Sequence, residues 1–261
     1  MSKNEEIKSF WDEQAKTHAN SYLATNPDKY SKDLEISTIC EYIEDGQVIA
    51  DIGCGNGFSC FELAQLKAVN ILGVDYSSEM ISSAKQTLAT LDPTLKQSVH
   101  FQEGDVLNLD LLPEQYDVVI SDRCLINLTS REQQELAINE IHKVLKPGGL
   151  YLMCENTEQG LNNLNDVRQS VGLEPVALRW HNLYLDEAHI HKTMLNTFEL
   201  VAERNFASFY FLASRVINAL QAKENNEEPS YLSDVNRMAA EISPTLECGN
   251  YSPLKLFVWR K

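Results

Sequence analysis

No two of the six cysteines stand in a C-x-x-C pair, and no histidine and cysteine cluster has the spacing of zinc ligands. That removes a zinc fold and a disulfide framework from consideration, and no metal site is expected. His189 and His191 stand one residue apart, but no acids converge on them visibly, so they are not read as ligands. Several cysteines lie inside apolar runs, where a thiol behaves as a small hydrophobe. Positive charge is short: 22 Lys and Arg face 38 Asp and Glu, for a net charge of −16, and no Lys/Arg-rich run appears. An acidic surface repels phosphate backbones, so nucleic acid is not the expected partner. No apolar stretch approaches the length of a membrane span, and the start, M-S-K-N-E-E, carries no apolar signal core. A cytoplasmic protein with reduced thiols and no membrane partner is the expectation. There is no internal repeat and no low-complexity tract.

The 261 residues, 43% hydrophobic and 23% charged, suffice for one large α/β domain with insertions. Strand and helix alternate through residues 46–155. Short apolar runs at Val48–Asp51, Asn70–Asp75, Val99–Phe101, Tyr116–Ser121 and Leu150–Cys154 read as strands. Ser77-Ser78-Glu79 opens a helix with capping chemistry, and Ser130–Leu145 is a helix ended by Lys146-Pro147-Gly148-Gly149. This alternation predicts a doubly wound parallel sheet. Residues 1–45 read as a helical cap in which Phe10, Trp11, Ala15 and His18 share a face, with a break at Asn26-Pro27-Asp28. Residues 156–187 are polar and Asn-rich. A sixth strand is expected at Phe198–Val201, a helix over 205–222, an exposed loop at Lys223–Ser230 and a last strand at Ser252–Arg260. The domain thus divides into a cap (1–45), a core (46–155), a lid (156–250) and a final strand (251–261).

The most telling stretch is Val48–Gly57, V-I-A-D-I-G-C-G-N-G. An apolar strand ends in Asp51, and Gly53, Gly55 and Gly57 follow at alternate positions. Such glycines let the backbone turn tightly and approach a ligand, and the helix that follows points its N-terminus back at that ligand. A dinucleotide fingerprint is G-x-G-x-x-G; here the third glycine comes one residue early, which disfavours a nicotinamide dehydrogenase.

Four motifs in order then resemble the class I S-adenosylmethionine-dependent methyltransferases, over residues 45–155. They are D-I-G-C-G-N-G, V-D-Y-S-S-E-M, E-G-D-V, and Y-D-V-V-I-S-D-R-C-L-I-N-L followed by V-L-K-P-G-G-L-Y-L. The resemblance implies a Rossmann-like seven-stranded sheet with the last strand antiparallel, and S-adenosylmethionine as cofactor, leaving as S-adenosylhomocysteine. It assigns Asp75 to the ribose hydroxyls, Asp105 to the adenine amine and the Val106 amide to the ring. Gly53, Gly55, Gly57 and Cys54 would line the donor loop, with Tyr76 and Ser121 from the neighbouring motifs. Asp51 either touches the donor or positions the loop through its amides; Met80 is either core or adenine packing. Trp11, Tyr22 and Tyr30 either cap the donor or anchor the N-terminal helices.

The acceptor is not readable from these motifs. Trp180-His181-Asn182-Leu183-Tyr184 forms an aromatic-polar cluster in the lid. His181 is the candidate general base, against a structural hydrogen-bonding role. Arg123 and Asn127 follow the fourth strand at the edge where open α/β sheets bind ligands. Arg123 either binds an anionic substrate group or pairs with a lid carboxylate. Asn127, Asn156, Tyr184, Tyr210 and Arg215 are the candidate substrate contacts. The lid loosely resembles methyltransferases of bacterial sugar and surface-polysaccharide pathways, which implies O-methylation of a sugar, glycan or phosphorylated metabolite. S-D-R-C stands where an N-P-P-Y-type tetrapeptide would signal a planar amine. The alternatives are an N- or protein methyltransferase of the same fold, or a non-catalytic cofactor-binding module. The cap helices and the acidic face permit a homodimer.

Overall fold

The structure is a computed structural model that describes residues 2–246 and 248–261. Its helices and strands, in chain order, begin with α1 (Lys3–His18), α2 (Lys29–Cys40), β1 (Val48–Ile52), α3 (Phe58–Leu66), β2 (Asn70–Asp75), α4 (Ser78–Thr90), α5 (Pro93–Ser98) and β3 (Val99–Glu103). There follow β4 (Tyr116–Asp122), α6 (Arg131–Val144), β5 (Leu145–Asn156), α7 (Glu158–Ser170), α8 (Glu187–Met194) and β6 (Glu199–Arg204). The chain then runs through α9 (Ser208–Leu212), a π-helical turn (Ala213–Ile217), α10 (Asn218–Glu224), α11 (Asp234–Ile242) and β7 (Leu254–Arg260).

The seven strands form one sheet in the order β3-β2-β1-β4-β5-β7-β6. The first five are parallel to one another, and β7 runs antiparallel to both β5 and β6. Central strands are apolar on both faces, as buried parallel strands must be. Val118, Ile120, Leu152, Cys154, Leu256 and Val258 point into the core beneath α2, α3 and α4. Val119, Tyr151, Met153, Phe257 and Trp259 point into the opposite core with α6 and α8. Strand order reverses between β1 and β4, so their carboxyl ends open a crevice, the position where open α/β sheets hold ligands.

The polar stretch 156–187 holds a helix the composition hid. Thr157 caps α7 by accepting from the Gly160 amide, and Gly160 lets α7 lie against the chain entering β7. A Cβ there would stand 1.9 Å from the Ser252 carbonyl oxygen. Asn162, Asn163 and Asn165 depress helix propensity, which is why the pattern reads as loop. Helices α5, α8 and α11 were likewise not anticipated; α5 is six residues and α8 eight, too short to display a period. The predicted helix over 205–222 is interrupted at the π turn, and β5 begins at Leu145, so Lys146-Pro147-Gly148-Gly149 belongs to the strand's irregular start rather than to a turn before it.

Candidate active site

The carboxyl ends of β1, β2 and β4 open on a cleft of about 750 Å³ lined by Gly53, Cys54, Gly55, Asn56, Asp51, Asp75, Tyr76, Met80, Arg123, Asn127 and Trp11. The loop after β1 is pinned from below: the amides of Gly53 and Cys54 both donate to the Val74 carbonyl, at 2.7 and 3.1 Å. Gly53, Gly55 and Gly57 all take positive φ. A Cβ on Gly53 would lie 2.6 Å from the side chain of Cys124, and one on Gly55 2.7 Å from Thr25. Gly57 does not line the cleft. It is the left-handed cap of α3, and a Cβ there would strike the Phe101 ring.

Asp75 ends β2 and is 8% exposed. Its Oδ2 accepts from the Gly55 amide and its Oδ1 from the Ser77 amide, both at 2.9 Å. A carboxylate offers about four lone-pair positions, so two remain for a ligand in the cleft. Burial raises its pKa to about 6, against the pull of the two amides. Asp51 is also buried, accepts from the Cys60 thiol at 3.1 Å, and is pushed up to about 6 by burial. Burial pushes the Cys54 thiol up to about 11, so Cys54 is a wall rather than a nucleophile. A second compartment of about 570 Å³ adjoins the first beyond Asp75 and Tyr76, lined by Asp105, Val106, Leu107, Ile7 and Leu128. Asp105 is exposed there and accepts from the Leu107 amide at 2.9 Å.

The N-terminal segment roofs this cleft. Asn56 donates to the carbonyls of Ala19 and Ser21 at 2.8 and 2.9 Å, and Ser77 donates to Asp12 at 2.5 Å. Trp11 donates its indole N–H to Asn127 Oδ1 at 3.3 Å, while Asn127 Nδ2 donates to the Arg123 carbonyl at 2.8 Å. Met80 is buried against Ala15, Ala24 and Trp11. Tyr22 does not line the cleft: from the 3₁₀ turn Tyr22–Ala24 it packs edge-on to Phe58, 6.2 Å between centroids, and Thr25, which follows that turn, stands at the wall instead. Ser121 is likewise absent from the wall. It is wholly buried on the other side of β4, sharing a hydrogen bond with the Tyr151 hydroxyl at 2.8 Å.

A third compartment, about 950 Å³, shares Trp11, Thr25, Arg123 and Asn127 with the first cleft and extends to Asn26, Asp28, Asn156, Arg179, His181, Tyr184 and Arg215. His181 is 4% exposed, stacked on Phe10 at 4.6 Å and edge-on to Trp11 at 5.5 Å. Its Nδ1 has no hydrogen-bond partner among the described residues. Burial, and secondarily Arg179, lowers its pKa to about 4, so the ring is neutral at pH 7. Tyr210 does not line the compartment. It is wholly buried and reaches it through Asp28, to which its hydroxyl donates at 2.5 Å; Arg215 donates to the same carboxylate at 2.5 Å.

In and behind the cleft wall lies a set of charges that the sequence did not reveal. Lys32 meets Asp122 at 2.5 Å and Glu35 at 3.5 Å, and Arg123 meets Glu35 at 2.5 Å and Asp122 at 3.7 Å. Burial raises Glu35 to about 7 although Arg123 and Lys32 oppose it. Arg123 therefore pairs with α2, not with a lid carboxylate. It also holds φ +53, a left-handed conformation rare outside glycine and a mark of sites where geometry is imposed. Asp28, Lys32 and Glu35 follow i, i+4, i+7 spacing, one face of α2, and that stripe was the available signal. Among the described residues no group of His, Cys, Asp and Glu is arranged to hold a metal; His189 and His191 pair separately with Glu135 and Glu203. Among the described residues no helix is long and apolar enough to cross a membrane.

A doubly wound sheet with an antiparallel seventh strand, a glycine cradle after β1 and an acid ending β2 defines the class I, S-adenosylmethionine-dependent methyltransferase architecture. The chain belongs to that family: the profile described as "Methyltransferase domain" matches residues 43–173. An arsenite methyltransferase of Halobacterium salinarum is 36% identical over 106 residues, covering 40% of this chain and 26% of the relative. The match thus spans about a quarter of that enzyme's length. A protein solved in complex with the Haloferax volcanii Trm112 methyltransferase activator superposes with a TM-score of 0.60 at 17% identity, over 99% of this chain and 97% of the other. Magnesium protoporphyrin IX methyltransferase from Synechocystis PCC 6803, solved with bound SAH, gives a TM-score of 0.55 at 19% identity, over 70% of this chain and 80% of the other. These two likenesses are likenesses of fold.

Proposed function

We propose that this chain transfers a methyl group from S-adenosylmethionine to a small polar acceptor, at an oxygen of a sugar, glycan or phosphorylated metabolite. The observation that carries this reading is the shared wall: a glycine-lined cleft and a polar compartment meet at Trp11, Thr25, Arg123 and Asn127. The residues fit the donor. The cradle excludes any Cβ at Gly53, Asp75 keeps two lone pairs for a diol, and the Tyr76 hydroxyl is buried without a partner beside Asp105 and Val106. When bound, the donor supplies a methyl already activated on a sulfonium.

The chain's own tasks are orientation and exclusion of water. Asp75 and the loop after β1 fix the donor side. Helix α1, held by Asn56 and by the Trp11–Asn127 bond, covers it. In the donor cleft Asp122 is neutralised by Lys32 and Arg123, while Asp51 and Asp75 have no cationic partner among the described residues, which suits a ligand bearing positive charge. On the acceptor side, His181 Nδ1 is neutral, buried and unpartnered, and is placed in this reading as the acceptor of a hydroxyl proton. The six free cysteines suit a reducing cytoplasm.

Calorimetry with S-adenosylmethionine and S-adenosylhomocysteine tests the donor half. Both should bind, and Asp75→Ala should weaken them by at least tenfold. No binding to the wild-type protein overturns the proposal. Labelled methyl transfer to sugars and sugar phosphates tests the acceptor half, and donor binding without transfer to any acceptor class would make the chain a cofactor-binding module instead.

A further inference from the structure

The acceptor compartment departs from the rest of the molecule in charge. The chain carries −16, yet this wall presents Arg123, Arg179 and Arg215 against one carboxylate, Asp28. Asp28 is 2% exposed and already committed, accepting from Tyr210, Arg215 and the Ser31 amide. Arg123 is balanced by Glu35 and Asp122. Arg179 takes part in none of the ion pairs formed among the described residues. The Arg215 guanidinium carbon lies over two aromatic rings, 5.0 Å from the Phe211 centroid and 4.6 Å from Tyr231, and its side chain remains 18% exposed.

One further atom points the same way. Asn26 lines the compartment and is 5% exposed. Its Oδ1 accepts from the Asp28 amide at 3.0 Å, which fixes the amide's orientation, and its Nδ2 is left buried with no partner among the described residues. A buried N–H donor without an acceptor is costly, so such a group in a cavity wall points to an acceptor that the cavity takes up. Arg123 and Arg215 are each paired with carboxylates, so among the described residues the solvent-exposed Arg179 is the guanidinium of this wall left to close on an anion, whereas a cationic acceptor would meet no unpaired carboxylate there.

Resting on the methyl-transfer reading, we infer that the acceptor carries an oxyanion, a carboxylate or a phosphate, seated by Arg179, Arg215 and the Asn26 amide, with its methyl-accepting atom toward the shared wall at Trp11 and Arg123. The anion is recognised by charge-assisted hydrogen bonds, and it sets which molecules enter rather than taking part in the transfer.

The test is a titration of the whole chain, saturated with S-adenosylhomocysteine, with sodium phosphate and separately with sodium citrate at constant ionic strength. Tryptophan fluorescence reports it, since Trp11 lines the compartment. A saturable change with either anion, absent with chloride, is expected; phosphate alone or citrate alone tells which oxyanion the site prefers. Arg179→Gln on the exposed loop and the near-isosteric Asn26→Asp should each weaken the anion at least tenfold while S-adenosylhomocysteine affinity stays within twofold. No saturable response in a protein that binds S-adenosylhomocysteine overturns the inference, as does unchanged anion binding in both variants. Failure of S-adenosylhomocysteine to bind overturns the donor reading instead, and the same titration without it still reads the anion site.

Discussion

At Gly53 two demands coincide: φ is +78, and the space for a Cβ is filled by Cys124. Gly53→Ala must therefore both strain the backbone and displace a buried side chain. The expected loss is about 2–4 kcal/mol, from a left-handed alanine and an overpacked contact, and thermal unfolding should show it together with lost donor affinity. Asp75 makes a prediction of the opposite kind, one of pH alone. Its pKa is raised to about 6, so the carboxylate that would accept ribose hydroxyls is protonated below that value. S-adenosylhomocysteine should bind with constant affinity from pH 7 to 8 and about tenfold more weakly for each pH unit below 6. An affinity unchanged down to pH 5, measured calorimetrically, would rule out Asp75 as the ribose contact. Both residues were legible in the sequence because their roles are local, a turn glycine and a strand-ending acid. Asp28, Lys32 and Glu35 were not, because charges at i, i+4, i+7 on a helix ordinarily mark a solvated face. Only the burial of that face of α2, Glu35 being wholly inaccessible, reverses the reading.

At the scale of elements, the site is held by joints between segments distant in sequence. Asn56, in the loop after β1, carries the segment that follows α1 on two hydrogen bonds. Asn56→Ala should quicken hydrogen exchange over residues 19–25 and weaken donor binding several-fold, with little change in the exchange of the central strands. The end of β5 is joined to the turn after β4 by Glu155, whose Oε1 accepts from the amides of Cys124 and Leu125 at 3.1 and 2.9 Å. Its Oε2 has no partner among the described residues, and burial pushes the group up to about 7. Glu155→Gln keeps the acceptor and removes the buried charge. It should stabilise the fold by about 3 kcal/mol at pH 8 and by less than about 1 kcal/mol at pH 5, where the folded-state glutamate is already protonated; equal melting temperatures at pH 8 would refute this. Helix α7 and the π turn show where element-level reading stops. Their sequences are poor in periodic signal, and packing places them: Gly160 against Ser252, and Arg215 against Asp28, 187 residues earlier.

For the whole molecule, the buried acids set the pH response. Asp51 and Asp75 are raised to about 6, and Glu35 and Glu155 to about 7, chiefly by burial. The folded chain therefore binds more protons than the unfolded chain between about pH 4 and 7, and stability declines as pH rises through that window. His181, lowered to about 4 by burial, opposes this between its folded value and the ordinary histidine range, but four carboxylates outweigh it. Repulsion within a −16 chain adds to the decline. The melting temperature at pH 5.5 should exceed that at pH 8, with the gap narrowed by salt through the repulsion term; a higher value at pH 8 would contradict these assignments.

The sequence by itself determined the sheet, the glycine cradle and the acid at the end of β2, because strand burial and tight turns depend on residues within a few positions of one another. It determined the family for the same reason, through motifs confined to residues 45–155. What only the tertiary structure decided is the acceptor side. Tyr210 acts through Asp28, Ser121 turns into the core, Arg123 pairs with Glu35, and among the described residues Arg179 has no ion-pair partner and the buried Asn26 amide no acceptor. Each of these depends on which charges end up buried and which partner reaches them across the fold, and neither spacing nor composition carries that information.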